Sequence, residues 1–182
     1  MRATYRSAVT RAASVILSTA LLGSAQATDV IRTPLPDSNP FPISAAVTVP
    51  AGYDTVYVSG ALPTMANKDA PKGSTLAYGD MAAQAESALN NIKASLAKLD
   101  LGMGDVVKMT VFMVADPTKD IKLDFAGLMT AYTKFFGTID QPNKPARSAV
   151  QVAALVVPGA LVEIEVIAVK PHQTDKPQKP KS

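Results

Sequence analysis

The chain has 182 residues, no cysteine, one histidine and a formal charge of +3. Without cysteine there are no disulfides, thiolate nucleophiles or thiolate metal sites. One histidine, far out in the C-terminal tail at His172, leaves no usual transition-metal ligand set and no nucleophile–histidine pair. Three of the 18 Lys and Arg residues (Arg2, Arg6 and Arg11) and none of the 15 acidic residues fall in the first 27 positions. The rest of the chain is therefore balanced in charge and has no electrostatic reason to hold nucleic acid.

Residues 1–27 read as a secretory signal peptide. A basic start is followed by the short apolar run Ala12 to Gly23, and Ala25-Gln26-Ala27 supplies the small residues of a cleavage site. Cleavage after Ala27 would leave a periplasmic or secreted protein of 155 residues, one domain's worth of chain. A retained anchor is the poorer reading, because polar residues follow at once. No later segment is apolar and long enough to span a bilayer, so no membrane contact is expected after signal removal.

Residues 28–42 hold four prolines and read as an extended N-terminal arm. In the body, 43–169, short β-type runs at Ala45 to Val49 and Thr55 to Ser59 flank Ala51-Gly52-Tyr53-Asp54 and predict a hairpin. Over 79–99, Met81, Ala85, Ala88, Leu89, Ile92, Leu96 and Leu99 recur at three- and four-residue steps. Asp80 can cap this helix, and Gly102 follows it. A strand is expected over Val106 to Val114 and a second helix over 121–136, stopped by Gly137. Strands over Ser148 to Ala154 and Leu161 to Val169 close the body, with Pro158-Gly159 as their turn. Residues 170–182 are rich in Lys and Pro and read as a disordered tail. The order β-β-α-β-α-β-β predicts an α+β fold, a sheet with both helices on one face.

Alternation within the strands is informative. Val107, Met109, Val111 and Met113 suit a helix-covered face, and Val162, Ile164 and Val166 share one side of the last strand. The opposite face mixes Lys108, Thr110 and Phe112 with Glu163, Glu165 and Ile167, and Arg147, Ala149 and Gln151 point together from the strand before. A face that is half apolar rarely meets bulk water alone, which predicts an oligomer interface with polar groups at its edge.

Few residues can carry chemistry. Arg147 follows the stiff Lys144-Pro145 turn at the start of a strand, where a guanidinium could hold a carboxylate through two parallel hydrogen bonds. On charge pattern alone, a surface arginine paired with a nearby acid is the simpler reading. Glu163 or Glu165, if near Arg147, could orient or deprotonate a water; an exposed strand face explains the pair as well. Ser59-Gly60 closes a strand with a hydroxyl and a residue that allows close approach.

Together, Val58-Ser59-Gly60 with Pro63, the helix segment Asn91 to Leu96, Gly104 to Lys108, Tyr132 to Phe136, Pro145-Ala146-Arg147-Ser148 and Val162 to Ala168 resemble the reactive intermediate deaminase family, also called RidA/YjgF. The resemblance covers nearly the whole body, and the segments around Arg147 and Glu163 are the specific ones. It implies a chorismate-mutase-like fold assembled as a homotrimer with sites at the subunit clefts. The implied reaction is hydrolytic deamination of enamines or 2-imino acids to 2-oxo acids and ammonia, with no cofactor and no metal. Its partners would be small 2-imino or 2-oxo acids, and not nucleic acid. By the same resemblance Arg147 binds the substrate carboxylate, Glu163 helps place the attacking water, and Ser59 and Gly60 line the pocket. At three further pocket positions the chain departs from the family pattern. Ile43 stands for a tyrosine, Ala149 for a cysteine and Met129 for an asparagine, and one extra residue falls in the Val156–Gly159 turn. The less polar pocket keeps open a second reading, a trimer that binds small carboxylates without turning them over.

Overall fold

The computed structural model describes residues 29–172, so the signal-peptide expectation and most of the tail expectation lie outside the described residues. Helix α1 spans Met81–Ala97, and Asp80 caps it by accepting from the Ala83 amide at 2.9 Å. The stripe read from the sequence is its buried face: Met81, Ala85, Ala88, Leu89, Ile92 and Leu96 are all fully enclosed, while Leu99 lies beyond the helix and is exposed.

Helix α2 spans Phe125–Tyr132 and is shorter than the expected 121–136. The residues before it fold into a turn of their own. Buried Asp116 accepts from the Thr118 amide and hydroxyl, its backbone bridges to Lys122, and Asp120 and Ile121 take positive φ. This local bonding competes with the helix until Asp124, whose carboxylate accepts from the Gly127 amide at 2.8 Å. That carboxylate titrates below its usual range, first because Lys119 donates to it and second because of the Gly127 amide. After Tyr132 the chain continues in tight turns to Gly137.

Among the described residues there are six strands: β1 (Ile31–Thr33), β2 (Ala46–Thr48), β3 (Tyr53–Ala61), β4 (Val106–Met113), β5 (Ala146–Gln151) and β6 (Val162–Pro171). The main sheet runs β3-β6-β4-β5. Strand β6 is antiparallel to both neighbours, and β4 is parallel to β5. Both helices and one sheet face share a single core with Met109, Val111, Met113, Val162, Ile164, Val166 and Ala168. The architecture is α+β with both helices on one face of the sheet, as expected from the sequence.

The expected hairpin between 45–49 and 55–59 does not form. Strand β2 pairs instead with β1, giving the proline-rich arm a strand of its own. The reason is a set of long-range anchors at the opposite sheet edge. The Ser44 amide donates to Pro145 O and its hydroxyl to Lys144 O, and the Tyr132 hydroxyl donates to Pro42 O. Arg32 adds three more, to Gly104 O, Val106 O and Lys144 O at 2.8–3.0 Å. Arg32→Ala should orphan these carbonyls and lower stability by about 2–4 kcal/mol, read as a lower Tm in thermal unfolding. At the other end, Lys170 and Pro171 belong to β6, so the expected tail starts later than residue 170.

The remaining sheet face carries Tyr57, Lys108, Thr110, Phe112, Ser148, Val150, Glu163, Glu165 and Ile167, by register. Neither helix covers it, and Tyr57 is 78% exposed there.

Candidate active site

Register decides which face each site residue occupies. Arg147 pairs with Met109 and Ala149 with Val111 across the parallel β4–β5 ladder, so both point to the helix-covered side. The expectation that Arg147 lies with the acidic face is thus corrected. Because β5 is an edge strand, the Arg147 side chain stays partly buried beside α2 and is not enclosed in the core.

The guanidinium sits in a box of rings. Its Cζ lies 4.2 Å from the ring centroid of Tyr132, 5.3 Å from that of Phe41 and 5.8 Å from that of Phe125. Phe41 and Phe125 stack with centroids 6.3 Å apart. Cation–π attraction holds the planar cation in place without satisfying its N–H donors. Among the described residues the only hydrogen-bond acceptor it meets is Met129 Sδ, 3.4 Å from both Nη1 and Nη2. Burial lowers the pKa of Arg147, and the nearby Tyr132 acts the other way. Burial likewise raises the Tyr132 hydroxyl well above its ordinary value. A half-buried cation with no anionic partner, its fork facing only a thioether, is a ready receptor for an incoming carboxylate.

Ile43, Met129 and Ala149 pack as partly buried residues against the same core, and of the three Met129 touches the guanidinium. Phe41, Phe125 and Tyr132 were not recognised as a box from sequence. Phe125, Met129 and Tyr132 stand at i, i+4 and i+7, so one helix face was readable. Phe41 lies in the arm, where no periodicity points to it.

Glu163 pairs with Phe112 and Glu165 with Thr110, which places both on the open face, away from Arg147 of the same chain. The expectation that one of them neighbours Arg147 within the chain is therefore corrected: alternation puts the two functions on opposite sides of the sheet. Glu163 instead lies over Gly60. A Cβ built at Gly60 would sit 2.0 Å from Glu163 Oε1. The β3–β6 register shifts there, with Val58 opposite Val166 and Ala61 opposite Ile164, so Ser59-Gly60 forms a bulge against Glu165. Gly60→Ala must therefore displace the Glu163 carboxylate, and the fold is expected to be retained, read by circular dichroism.

Two shallow depressions flank these residues. One, of about 360 Å³, includes Tyr57, Ser59, Lys108 and Glu165. The other, of about 430 Å³, includes Phe112, Leu155, Glu163 and Glu165. Among the described residues no group of three or more His, Cys, Asp or Glu side chains is placed to hold a metal ion.

Comparison with known proteins agrees with this architecture. The family model described as Endoribonuclease L-PSP matches residues 36–170. A RutC family protein of Haemophilus influenzae is 45% identical over 91 residues, and a 2-iminobutanoate/2-iminopropanoate deaminase of Escherichia coli is 44% identical over 91 residues. Each stretch covers 50% of this chain and 65% of the relative, so the chain spans just under two thirds of the length of these relatives. A crystal structure of a conserved Rid family protein of unknown function from Yersinia pestis superposes with a TM-score of 0.57 at 26% identity, covering 77% of this chain and 96% of that one. With a matching family model over most of its length, a Rid-type structural neighbour and the fold that the resemblance implied, the chain belongs to the RidA/YjgF/L-PSP family.

Proposed function

We propose that the protein hydrolyses reactive enamine or imine intermediates, 2-imino acids above all, to 2-oxo acids and ammonia, as a homotrimer with shared sites. The single observation that carries this reading is the Arg147 guanidinium, held by three rings with no oxygen partner on its fork among the described residues. The carboxylate of a 2-imino acid would take that fork and so fix the imine carbon in place. An imine carbon is already electrophilic, so orientation and a placed water suffice and no cofactor is required. Glu163 accepts a proton from the water as its oxygen adds to the imine carbon and returns that proton to the nitrogen; the carbinolamine hydroxyl proton then passes to the amine as the C–N bond breaks, releasing ammonia and the 2-oxo acid.

Arg147 and Glu163 lie on opposite sides of their own sheet, so on this reading each site combines Arg147 of one copy with Glu163 of a neighbour. The uncovered, half-apolar sheet face supports such an assembly. The deaminase named among the relatives supports the substrate class. The leader at residues 1–27 supports export, which would place the reaction in the periplasm or outside the cell. RNA cleavage, the activity in the family model's description, draws no support from a charge-balanced body.

Ammonia release from freshly generated 2-iminopropanoate and 2-iminobutanoate tests the reading. Turnover by the mature protein supports it. Tight binding of 2-oxo acids without turnover turns the assignment to a carboxylate-binding trimer, a reading favoured by one observation: the fork of Arg147 faces the thioether of Met129, which transfers no proton. Absence of both binding and turnover contradicts both.

A further inference from the structure

The side chain facing the fork of Arg147 is Met129. Rings cover the guanidinium, while Nη1 and Nη2 both donate to Met129 Sδ at 3.4 Å. A thioether is a weak acceptor, and this one stands where a ligand's carboxylate would have to go. Met129 is only partly buried. Of the other methionines among the described residues, Met81, Met103, Met109 and Met113 are buried and Met65 is exposed far along the chain. The chain has no cysteine, so methionine sulfur is its only oxidisable sulfur. An oxidant following the ligand's path to Arg147 meets Sδ of Met129.

We propose that Met129 is a reversible oxidation site whose sulfoxide closes the carboxylate clamp. The inference rests on the reading of Arg147 as that clamp. In the step, a sulfur lone pair attacks one oxygen of a peroxide and the O–O bond breaks. The sulfur is oxidised by two electrons to the sulfoxide, and the second oxygen leaves as hydroxide and takes a proton to become water. The new S–O oxygen carries partial negative charge and accepts from both nitrogens of the guanidinium, as a carboxylate oxygen does. The side chain has three rotatable bonds, so the sulfur can retreat enough to seat that oxygen in the fork. A weak, displaceable contact thus becomes an intramolecular occupant that a free carboxylate must outcompete. Methionine sulfoxide is enzymatically reducible, so the closure is reversible.

The test treats the whole mature protein with hydrogen peroxide and quantifies oxidation at residue 129 by peptide mass. Two readouts follow: calorimetric titration with 2-oxobutanoate, and the rate at which phenylglyoxal labels Arg147. Affinity is expected to fall about tenfold or more in the oxidised fraction, as for loss of a charge-assisted contact, and labelling to slow several-fold. Methionine sulfoxide reductase restores both. Met129→Leu, whatever its own starting affinity, shows the same binding and labelling before and after peroxide, whereas Met65→Leu responds to peroxide as the unsubstituted protein does. Failure of peroxide to oxidise Met129, oxidation there with unchanged Arg147 labelling, or the same losses in Met129→Leu would each overturn the proposal. Labelling needs no ligand: a protein that binds no 2-oxo acid before treatment contradicts the clamp reading, and Arg147 labelling still decides the oxidation site.

Discussion

Arg147→Ala is expected to abolish turnover and weaken 2-oxo acid binding by about 30-fold to several thousand-fold, which corresponds to roughly 2–5 kcal/mol for a desolvated, hydrogen-bonded charge pair. The fold should survive. Arg147 forms no ion pair among the described residues, so its removal orphans no buried carboxylate there. Burial disfavours its charged form, so the desolvation cost relieved by its removal offsets part of the lost ring contacts. Tm is therefore expected to move by no more than about 5 °C in either direction. Arg147→Lys should recover little binding, because an ammonium is a point charge that cannot present two parallel donors to a carboxylate or lay a planar cation against the rings of Tyr132, Phe41 and Phe125. Calorimetry and ammonia release on the two variants check this together. Full activity in Arg147→Ala is incompatible with the clamp.

Glu163→Gln is expected to behave in the opposite way. It keeps the shape of the side chain over Gly60 and leaves the clamp untouched, so 2-oxo acid binding should stay within about threefold of the original. It removes the proton acceptor, and kcat should fall by about two to four orders of magnitude, the usual worth of a positioned general base. A loss in KM with kcat unchanged would make Glu163 a binding residue and remove it from the chemistry.

How far the sequence could be read follows from which interactions are local. The α1 stripe and its Asp80 cap are local and repeat at helical spacing, so they were legible. The alternating faces of β4 and β6 were legible for the same reason. The partner of β2 was not. It is chosen by Arg32, Ser44 and Tyr132 reaching carbonyls far along the chain, and no nearby pattern encodes that choice. The start of α2 was misplaced because the apolar pattern runs on while Asp116 and its turn hold the backbone elsewhere. At the site, the resemblance marked Arg147 and Glu163, but their separation onto two faces needed the parallel register of β4 and β5. The ring box needed the arm to fold back and bring Phe41 to Phe125.

The central claim is that each site takes Arg147 from one copy and Glu163 from the next, and mixing two inactive variants tests it most directly. Arg147→Ala and Glu163→Gln proteins would be unfolded together in equal amounts, refolded and assayed for ammonia release. In a cyclic assembly with random mixing, a site is intact when its arginine comes from a Glu163→Gln copy and its glutamate from an Arg147→Ala copy. Recovery of about a quarter of the unsubstituted activity is expected. No recovery from well-folded mixed oligomers would place both residues' work within one chain and contradict the shared site.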